Sequence, residues 1–390
     1  MSKRNILTLQ ETCSGCFACA NVCPKDAISL PENKEGFYFP QIDSSKCIDC
    51  GLCDKICPNL TRSGALTMQK AFYGWSNNDD VRKASSSGGI FYHLASTIIE
   101  NTGIVYGASF NYKDMIRLEC HSTDEVDLQE LMRSKYVQSH VGYAYRKIKD
   151  DLNNGRKVLF CGTPCQVGGL KSYLRRDYDN LILVDFVCHG VPSMSMLRLH
   201  IKYLGLKNIT EICFRPKNRE WLDDFEIIYD SGKRKYSIPW QFDEYFKAFQ
   251  YYKNIRRSCK HCIYSRGLRQ SDITIADFSG YRKYAPSIYD PKGISLVLAN
   301  SRRGMGLLNS FKLNTSVTLN EIPLKFAEYA YARDRESEDF YYKLDERNRF
   351  INSVYQHGYK NAIKQSGLKT RKIDLYVFKL KRIVKSFIGK

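Results

Sequence analysis

The sequence lacks a long apolar run, since no stretch approaches the ~18 uninterrupted apolar residues that a membrane-spanning helix requires. Met1 to Gln10 also lacks the apolar segment of a secretory signal peptide. The chain nevertheless holds 15 cysteines, a usage that fits a reducing compartment better than an oxidising one. We therefore expect a cytoplasmic protein, and its 390 residues suggest two or three domains.

Acidic residues are scarce, since 41 Asp and Glu stand against 60 Lys and Arg and leave a formal net charge of +19. Residues 1–60 hold six basic and seven acidic side chains, so the positive charge lies in the remaining body. A basic body favours polyanionic partners: nucleic acid, an anionic membrane surface, a phosphate-bearing cofactor or an acidic redox protein. No helix-turn-helix, zinc-finger or RNA-recognition signature accompanies the charge, so we expect no nucleic-acid partner.

One four-cysteine pattern is present twice. The spacing C-x2-C-x2-C-x3-C, followed by proline, begins at Cys13 and again at Cys47. This is the signature of bacterial two-cluster ferredoxins, in which three thiolates of one loop and the fourth of the other loop hold each 4Fe-4S cluster. Zinc or a disulfide framework does not explain a doubled four-cysteine run. The predicted ligands are Cys13, Cys16, Cys19 and Cys57 for one cluster, and Cys47, Cys50, Cys53 and Cys23 for the other.

The segment between the two runs is aromatic. We expect Gly36 to Pro40 to form a short strand that covers the clusters with aromatic rings and keeps their surroundings dry. Residues 60–70 predict a linker.

Ser85 to Gly89 precedes apolar residues at helical spacing and predicts a capped helix start. Free N–H groups there favour an anion, but a helix start without a ligand explains the sequence equally well. A strand is predicted at Gly103 to Phe110 and a helix at Asp124 to Met132. The basic, aromatic segment Arg133 to Ser139 fits either a cofactor rim or a solvated loop.

A strand, a helix, a second strand and a second helix follow one another from Lys157 to Tyr203, which implies a right-handed crossover between parallel strands. Cys165 and Cys188 then lie at the carboxyl ends of neighbouring strands, where open α/β sheets place their ligands. Two cysteines cannot hold a cubane, but Cys259 and Cys262 supply the missing pair. We expect one further 4Fe-4S site; a structural zinc site or buried free thiols are the alternatives.

The remaining cysteines and the nearby histidines predict no ligands. Cys120, Cys161 and Cys213 fit small buried apolar residues. His189 and His261 stand beside the proposed ligands, where histidine more often packs or donates a hydrogen bond. Other predicted elements are strands at Ile212 to Arg215, Phe225 to Tyr229, Ser271 to Phe278 and Gly293 to Ala299, and an aromatic helix at Trp240 to Tyr252.

Several of these segments together resemble the beta subunit of coenzyme F420 hydrogenases and dehydrogenases. They are Cys-Gly-Thr-Pro-Cys165-Gln, Asp-Phe-Val-Cys188-His-Gly, Cys259-x2-Cys262 and Ser-Asp-Ile-Thr-Ile-Ala-Asp277, preceded by Ser87 to Gly89. The resemblance covers roughly residues 70–345 and implies an α+β multidomain protein, with the two-cluster ferredoxin domain in front of a mixed α/β flavin and iron-sulfur body.

In that family the body binds FAD and one 4Fe-4S cluster, and the flavin exchanges a hydride with coenzyme F420. The resemblance therefore implies a cluster on Cys165, Cys188, Cys259 and Cys262. It places the flavin near Ser86, Ser87, Gly88, Gly89, Lys135, Tyr136 and Gln138. A cation is expected beside the reduced flavin ring, and Lys135 is the candidate catalytic residue.

Three functions remain open. The first is an oxidoreductase that passes electrons between coenzyme F420 and ferredoxin, or another redox subunit, through FAD and the clusters. The second is a ferredoxin-dependent flavin reductase of an organic substrate, such as a sugar or tetrapyrrole, and the third is a flavin-free electron-transfer subunit without enzymatic activity.

The predicted domain organisation has four parts. They are a ferredoxin-type domain at 1–62, the two parts of the body at 70–150 and 151–345, and a basic helical tail at 346–390. Apolar residues from Ile373 to Phe387 alternate with Lys and Arg, so the tail predicts either a membrane-surface helix or a helix that docks on the body.

Overall fold

The computed structural model of the protein describes residues 5–61, 64, 66, 70–113, 115–217, 224–265, 268–311, 315–332 and 343–388. Most of the predicted linker at 60–70 lies outside this range. No helix in the described part of the chain is both long and apolar enough to cross a membrane.

The first segment is small and contains little regular structure. A short 3-10 helix, Asn5–Thr8, precedes α1 (Ala18–Val22), β1 (Ile28–Ser29), β2 (Gln41–Ile42) and α2 (Leu52–Lys55). β1 and β2 pair antiparallel. The strand expected at Gly36 to Pro40 is wrong, because this segment forms only an isolated bridge between Tyr38 and Glu32. Its rings are nevertheless buried, since Phe37 and Tyr38 are 1% and 3% exposed.

The two four-cysteine loops share an unusual backbone. The third position of each repeat has a positive φ, 65° at Gly15 and 57° at Asp49. The fifth position does as well, 67° at Phe17 and 71° at Gly51. Left-handed residues are uncommon outside glycine, so their coincidence indicates two copies of one loop conformation. Each copy leads directly into a short helix, α1 or α2.

The body is built on an eight-stranded mixed sheet. Its strands are β3 (Lys70–Ser76), β4 (Ile104–Asn111), β5 (Arg117–Ser122), β6 (Val158–Gly162), β7 (Leu181–Phe186), β11 (Ile273–Asp277), β12 (Ser295–Ala299) and β13 (Val317–Ile322). Their order in the sheet is β13-β3-β12-β11-β7-β6-β4-β5. The four central strands β11, β7, β6 and β4 run parallel to one another.

The predicted parallel strand pair is confirmed. β6 and β7 pair in parallel, with Gly162 opposite Asp185, and α7 (Pro164–Leu174) connects them. Thr163 and Gln166 begin α7 with a reciprocal capping box. Cys165 therefore lies in the first turn of α7, and Cys188 lies just after β7, at the same edge of the sheet.

Most predicted helices of the body form, with different lengths. α4 (Ile90–Glu100) begins directly after Gly89, as expected. The helix predicted at Asp124 to Met132 shrinks to α5 (Leu128–Leu131). The other helices are α3 (Asp79–Ala84), α6 (Ala144–Asn153), α8 (Met194–Tyr203), α9 (Glu244–Gln250), α10 (Tyr281–Tyr284), α11 (Arg302–Phe311), α12 (Leu324–Ala332), α13 (Leu344–His357), α14 (Tyr359–Gln365) and α15 (Lys372–Ile388).

A second, three-stranded sheet and several helices enclose an aromatic core. The antiparallel strands are β8 (Glu211–Cys213), β9 (Glu226–Asp230) and β10 (Lys235–Pro239). Tyr229, Tyr245 and Phe246 are buried in this core together with Phe350 of α13. This layer presents the loop that carries Cys259 and Cys262 to the edge of the large sheet.

The predicted boundaries within the body do not separate two sheets, because the large sheet takes strands from both sides of residue 150. The first segment is also packed into the body. Phe17 and Ala18 share one buried cluster with Tyr145 and Leu170 of the body. The cysteine-rich segment is therefore held by a common apolar core as well as by covalent connection.

Candidate redox centres

The thiols of the first loop gather with one thiol of the second loop. Burial raises the pKa of Cys16 to about 12, and the neighbouring thiols of Cys57 and Cys13 act in the same direction. The pKa of Cys57 is raised by its own burial and by Cys13. This grouping agrees with the predicted ligand set Cys13, Cys16, Cys19 and Cys57, which we call the proximal set. Buried thiols ionise readily only when a cation such as cluster iron compensates their charge.

The other predicted set, which we call the distal set, lies nearer the solvent. It consists of Cys47, Cys50, Cys53 and Cys23. Cys50 is exposed, and the neighbouring Ile48 is 57% exposed. Cys53 is buried and interacts electrostatically with Cys19, so the distal set adjoins the proximal set.

The structure brings four body cysteines from three segments to one cavity. Cys165, Cys188, Cys259 and Cys262 all line it. Burial raises the pKa of Cys165 to about 12, and Cys262 and Cys259 act in the same direction. The pKa of Cys188 is raised by burial and then by Cys259 and Cys165. Four thiols around one mainly apolar cavity fit a 4Fe-4S cluster; we call these residues the body set.

Within the described residues, no group of three or more His, Cys, Asp or Glu side chains is arranged to hold a metal ion. A tetrahedral zinc site needs every sulfur ~2.3 Å from the same ion. Cubane ligands bind different iron atoms of a larger body, and so they stand further apart.

The proximal and body sets meet across α7. A Cβ added to Gly169 would lie 3.0 Å from the Cys16 sulfur, and one added to Gly168 would overlap the Tyr264 hydroxyl. Cys16 also interacts electrostatically with Cys165. Burial raises the pKa of Tyr264, and the thiols of Cys16, Cys165 and Cys262 contribute further. Gly169 thus permits a close approach between the cysteine-rich segment and the body, and Gly168 leaves room for Tyr264.

A buried arginine of the body, Arg256, holds the cysteine-rich segment in place through hydrogen bonds. Arg256 is 1% exposed and donates through Nε to the Cys13 carbonyl at 2.7 Å and through Nη2 to the Tyr38 carbonyl at 2.9 Å. Its Nη1 donates to the Gln138 amide oxygen at 3.0 Å, and Gln138 donates to the Ser14 carbonyl at 3.0 Å. Gln138 is a predicted flavin contact, but its side chain hydrogen-bonds with Arg256 and Ser14 and so helps to hold the cysteine-rich segment against the body.

The other predicted flavin segments do lie together. The Ser86 hydroxyl accepts a hydrogen bond from the Ser134 N–H at 2.8 Å. Gly88 packs against β3 and β12, where an added Cβ would overlap the Gly74 carbonyl. No side chain caps the N-terminus of α4 beyond Gly89. Tyr136 instead turns its ring toward the aromatic core, 5.0 Å from Phe246 between ring centroids.

Two lysines, Lys135 and Lys217, lie beside the predicted flavin segments. Lys217 donates to the carbonyls of Arg82, Ser87 and Lys292, and Lys135 donates to the Met132 carbonyl at 2.6 Å. Burial lowers the pKa of each lysine to about 7. In the described part of the chain neither lysine pairs with a carboxylate. Half-buried ammonium groups without a counter-ion beside an uncapped helix start fit a phosphate-bearing ligand.

The distal set borders a basic surface pocket of about 300 Å³. Cys23 and Leu52 form one wall, and Arg146, Lys149 and Arg175 form much of the other. Arg146 is engaged, since it pairs with Asp26 at 2.6 Å. Lys149 stands over the Tyr173 ring at 5.6 Å, and Arg175 is exposed. The pocket thus presents cations next to a predicted cluster ligand.

Three cysteines lie outside the three sets, and two histidines stand beside the proposed ligands of the body set. Cys213 is buried and lies 3.4 Å from an Arg133 nitrogen. Burial raises the pKa of Cys120 and of Cys161 to about 12. His261 lines the cavity of the body set. His189 adjoins Cys188 in sequence and lies in the loop after β7.

Sequence reasoning missed Arg256, Lys217 and Tyr264. An arginine, a lysine or a tyrosine in a loop gives no periodic or motif signal. The pair Gly168-Gly169 offered a signal, because two glycines inside a predicted helix each cost ~1 kcal/mol relative to alanine and need a reason such as close packing.

Comparison with known families gives two matches. Residues 155–325 match the model of the carboxyl-terminal part of the coenzyme F420 hydrogenase/dehydrogenase beta subunit. Residues 12–60 match the 4Fe-4S dicluster domain. The two matches contain all twelve predicted cluster ligands.

Three relatives match most of the chain. An uncharacterized protein of Methanocaldococcus jannaschii is 22% identical over 347 residues, which cover 79% of this chain and 89% of the relative. The coenzyme F420-dependent sulfite reductase of that organism is 24% identical, with 82% of this chain and 49% of the reductase covered. A component of the F(420)H(2) dehydrogenase of Methanosarcina mazei is 20% identical, with 65% and 71% covered. The chain thus spans about half the length of the sulfite reductase.

A solved structure is also similar. It belongs to the F420-reducing NiFe hydrogenase complex from Methanosarcina barkeri, with a TM-score of 0.49 and 15% sequence identity. The match covers 70% of this chain and 91% of that chain.

Proposed function

We propose that this protein, which joins a 4Fe-4S dicluster domain to a body of the coenzyme F420 hydrogenase/dehydrogenase beta type, is an iron-sulfur flavoprotein oxidoreductase. It passes electrons between coenzyme F420 and an acidic one-electron carrier of the ferredoxin type. FAD would exchange two electrons with the coenzyme and one electron at a time with the clusters, which carry single electrons.

The observation that carries the proposal is the continuous line of cysteine sets. The body set lines one cavity at the edge of the sheet, and the proximal set meets it where Cys16 contacts Gly169. The distal set follows and reaches solvent at Cys50. Such a line connects the interior of the body to the surface, as electron transfer to an external carrier requires.

Positively charged groups of the body support a flavin site at the inner end of this line of cysteine sets. The helix start at Gly89 and the carbonyl-bonded Lys217 would hold the pyrophosphate. Lys135 would stabilise negative charge on the reduced ring, because its ammonium group has no carboxylate partner in the described residues and its pKa of about 7 allows it to be charged. Ser86 would fix the loop at Ser134 that carries Lys135.

The basic pocket supports docking of an acidic carrier beside the distal set. Lys149 and Arg175 stand beside Cys23, so carboxylates of an acidic carrier would bring that carrier against the distal set. The general excess of basic residues would increase its rate of encounter.

The two-electron partner is proposed from the relatives. A sulfite reductase described as coenzyme F420-dependent and a component of an F(420)H(2) dehydrogenase both resemble this chain. Coenzyme F420 bears a phosphate and a glutamate tail, and the basic body suits such an anion. An organic substrate reduced at the flavin is the second candidate; the same lysines would serve it.

The test is an anaerobic determination of iron, sulfide and released flavin in the purified chain. We expect about twelve iron atoms and one FAD per chain. Cys259→Ser should remove about four iron atoms and leave the two ferredoxin-type clusters. Cys120→Ser is the matched control, since this thiol lies outside all three sets and its replacement should leave the iron content unchanged.

Two results would contradict the proposal. About eight iron atoms without flavin would reduce the body to a docking module behind a ferredoxin. Equal iron loss from all sites in Cys259→Ser would contradict the ligand sets. With the cofactors present, absence of coenzyme F420 reduction by reduced ferredoxin, together with reduction of an organic acceptor, would favour the second candidate.

A further inference from the structure

The C-terminal helix α15 exposes a continuous apolar stripe. Its six members are each between 40% and 61% exposed. They recur at intervals of three and four residues and therefore lie on one side of the helix. The stripe consists of Ile373, Tyr376, Val377, Leu380, Ile383 and Val384. An aligned set of this size is unlike the scattered single apolar residues that are normal on surfaces.

In the docked position this stripe is exposed, because α15 contacts the body through its other side. Phe378 contacts Phe242 with ring centroids 5.0 Å apart. Arg382 donates to the carboxylates of Asp224 and Glu226 at 3.0 Å. Leu375 and Phe378 are half-buried, in contrast to the stripe. The docked position thus fixes the orientation of α15 and turns the stripe toward solvent.

Lysines border the stripe on both sides. At 100° per residue, Lys372 and Lys379 follow one edge and Lys381 follows the other, and all three are exposed. The acidic residue of the helix, Asp374, pairs with Arg371 at 2.7 Å. An apolar stripe between two basic margins is the pattern of a helix that lies in the interface of an anionic bilayer.

The charges also discriminate between occupants. A second copy of α15 packed on the stripe would place lysine margins against lysine margins, which is repulsive. A lipid surface accepts the apolar side chains among its acyl chains and the lysines among its phosphate groups. Tyr376 suits the boundary between these layers, where amphipathic rings are enriched.

We propose that α15 binds this protein peripherally to membranes with anionic lipids, lying parallel to the surface with the stripe buried and the lysines on the headgroups. The helix is ~25 Å long, so the stripe extends across much of one face of the docked tail. Membrane binding through α15 requires neither the cofactors nor the redox partner.

The test is sedimentation of the anaerobically purified full chain with vesicles. We expect binding to vesicles of phosphatidylcholine with phosphatidylglycerol, and at least tenfold weaker binding to phosphatidylcholine alone. Val377→Glu with Leu380→Glu should weaken binding to the anionic vesicles at least tenfold. Lys372→Glu with Lys379→Glu should weaken it to a similar degree and abolish its decrease with salt.

The matched control is Ile99→Glu, which changes an exposed apolar residue of α4 and should leave vesicle binding unchanged. Unchanged thermal unfolding and iron content would show that the variants fold. Equal binding to neutral and anionic vesicles, or no binding, would overturn the proposal. So would a concentration-dependent dimer of the wild-type chain that Val377→Glu with Leu380→Glu converts to monomer without any effect on vesicles.

Discussion

The two four-cysteine loops have one spacing and one backbone conformation but different surroundings. We call the first loop, residues 13–23, the proximal loop and the second, residues 47–57, the distal loop. The proximal loop is buried against the body, where a Cβ added to Gly169 would meet Cys16. The distal loop faces solvent at Cys50 and Ile48. Burial raises the pKa of Cys16 to about 12, so its thiolate depends on compensating charge from iron.

The difference shows that cysteine spacing encodes the ligand loop, whereas tertiary packing assigns its role. The proximal loop is held by body residues, of which Arg256 is among the most deeply buried. The distal loop keeps an open side beside a basic pocket. Under the proposed function, the first loop would pass electrons inward and the second would exchange them with a partner.

Among the substitutions that test the difference between the two loops, replacement of Arg256 should have the largest effect. Arg256→Met leaves the carbonyls of Cys13 and Tyr38 without their donor, and we expect a loss of ~3 kcal/mol in stability. The proximal cluster should be lost first, because Cys13 begins its loop. Iron content and the thermal unfolding midpoint measure both effects.

The control is Arg257→Met, the next residue in the chain. Arg257 pairs with Glu11 at 2.8 Å and more weakly with Glu35 at 3.4 Å, and its side chain is 34% exposed, so its removal should cost less than ~1 kcal/mol. Equal effects of the two substitutions would contradict the role given to Arg256.

A smaller change tests the contact itself. Gly169→Ala places a Cβ 2.9 Å from the Cys16 Cβ, and we expect a loss of ~2 kcal/mol and slower electron exchange between the proximal and body clusters. Stopped-flow reduction followed by absorbance measures the exchange.

Gly306→Ala is the matched substitution, since Gly306 lies in α11 with open space around it. It should stabilise the protein by up to ~1 kcal/mol and leave electron exchange unchanged. If Gly169→Ala behaves like Gly306→Ala, the close approach has no function.

The partner-facing role of the distal loop is tested by charge. Lys149→Glu with Arg175→Glu should slow reduction by an acidic ferredoxin about tenfold at low salt and much less at high salt. Lys360→Glu, an exposed position of α14, should have little effect. Reduction by a small neutral reductant should not change in either variant.

The smallest effect is expected at Lys135, at the proposed flavin site. Lys135→Ala should lower the potential of the proposed flavin by ~20 mV, or ~0.9 kcal/mol for a two-electron couple, because the cation proposed beside the reduced ring is lost. Since burial lowers the pKa of Lys135 to about 7, its charge is present below this pH and is lost above it. The difference between wild type and variant should therefore decrease as pH rises through 7. A constant difference, or none, would contradict the assignment.

Local patterns in the sequence predicted the parts of the fold that local chemistry determines. The β6-α7-β7 unit followed from apolar runs separated by turn residues, and it placed Cys165 and Cys188 at one edge. The ferredoxin-type cysteine sets followed from spacing alone. The tail helix followed from its periodicity, and α15 forms at Lys372–Ile388.

The rest depended on contacts between distant residues. The predicted strand at Gly36 to Pro40 does not form: its backbone makes one isolated bridge, between Tyr38 and Glu32, although the rings of Phe37 and Tyr38 are buried. β3 occupies the sheet between β12 and β13, a placement that pairing across more than 200 residues determines. The family resemblance predicts Gln138 as a flavin contact, whereas its side chain hydrogen-bonds with Arg256 and with the Ser14 carbonyl.

The uneven burial of the two loops also determines the order in which oxidants would damage the chain. Oxygen meets the exposed Cys50 side first, while Cys16 lies behind Phe17 and the helices of the body. Loss of the distal cluster would leave α1 in its place, because α1 packs in the shared core. Such a molecule would stay folded and coloured but would be disconnected from its external carrier, so air exposure would abolish electron exchange long before it abolished structure.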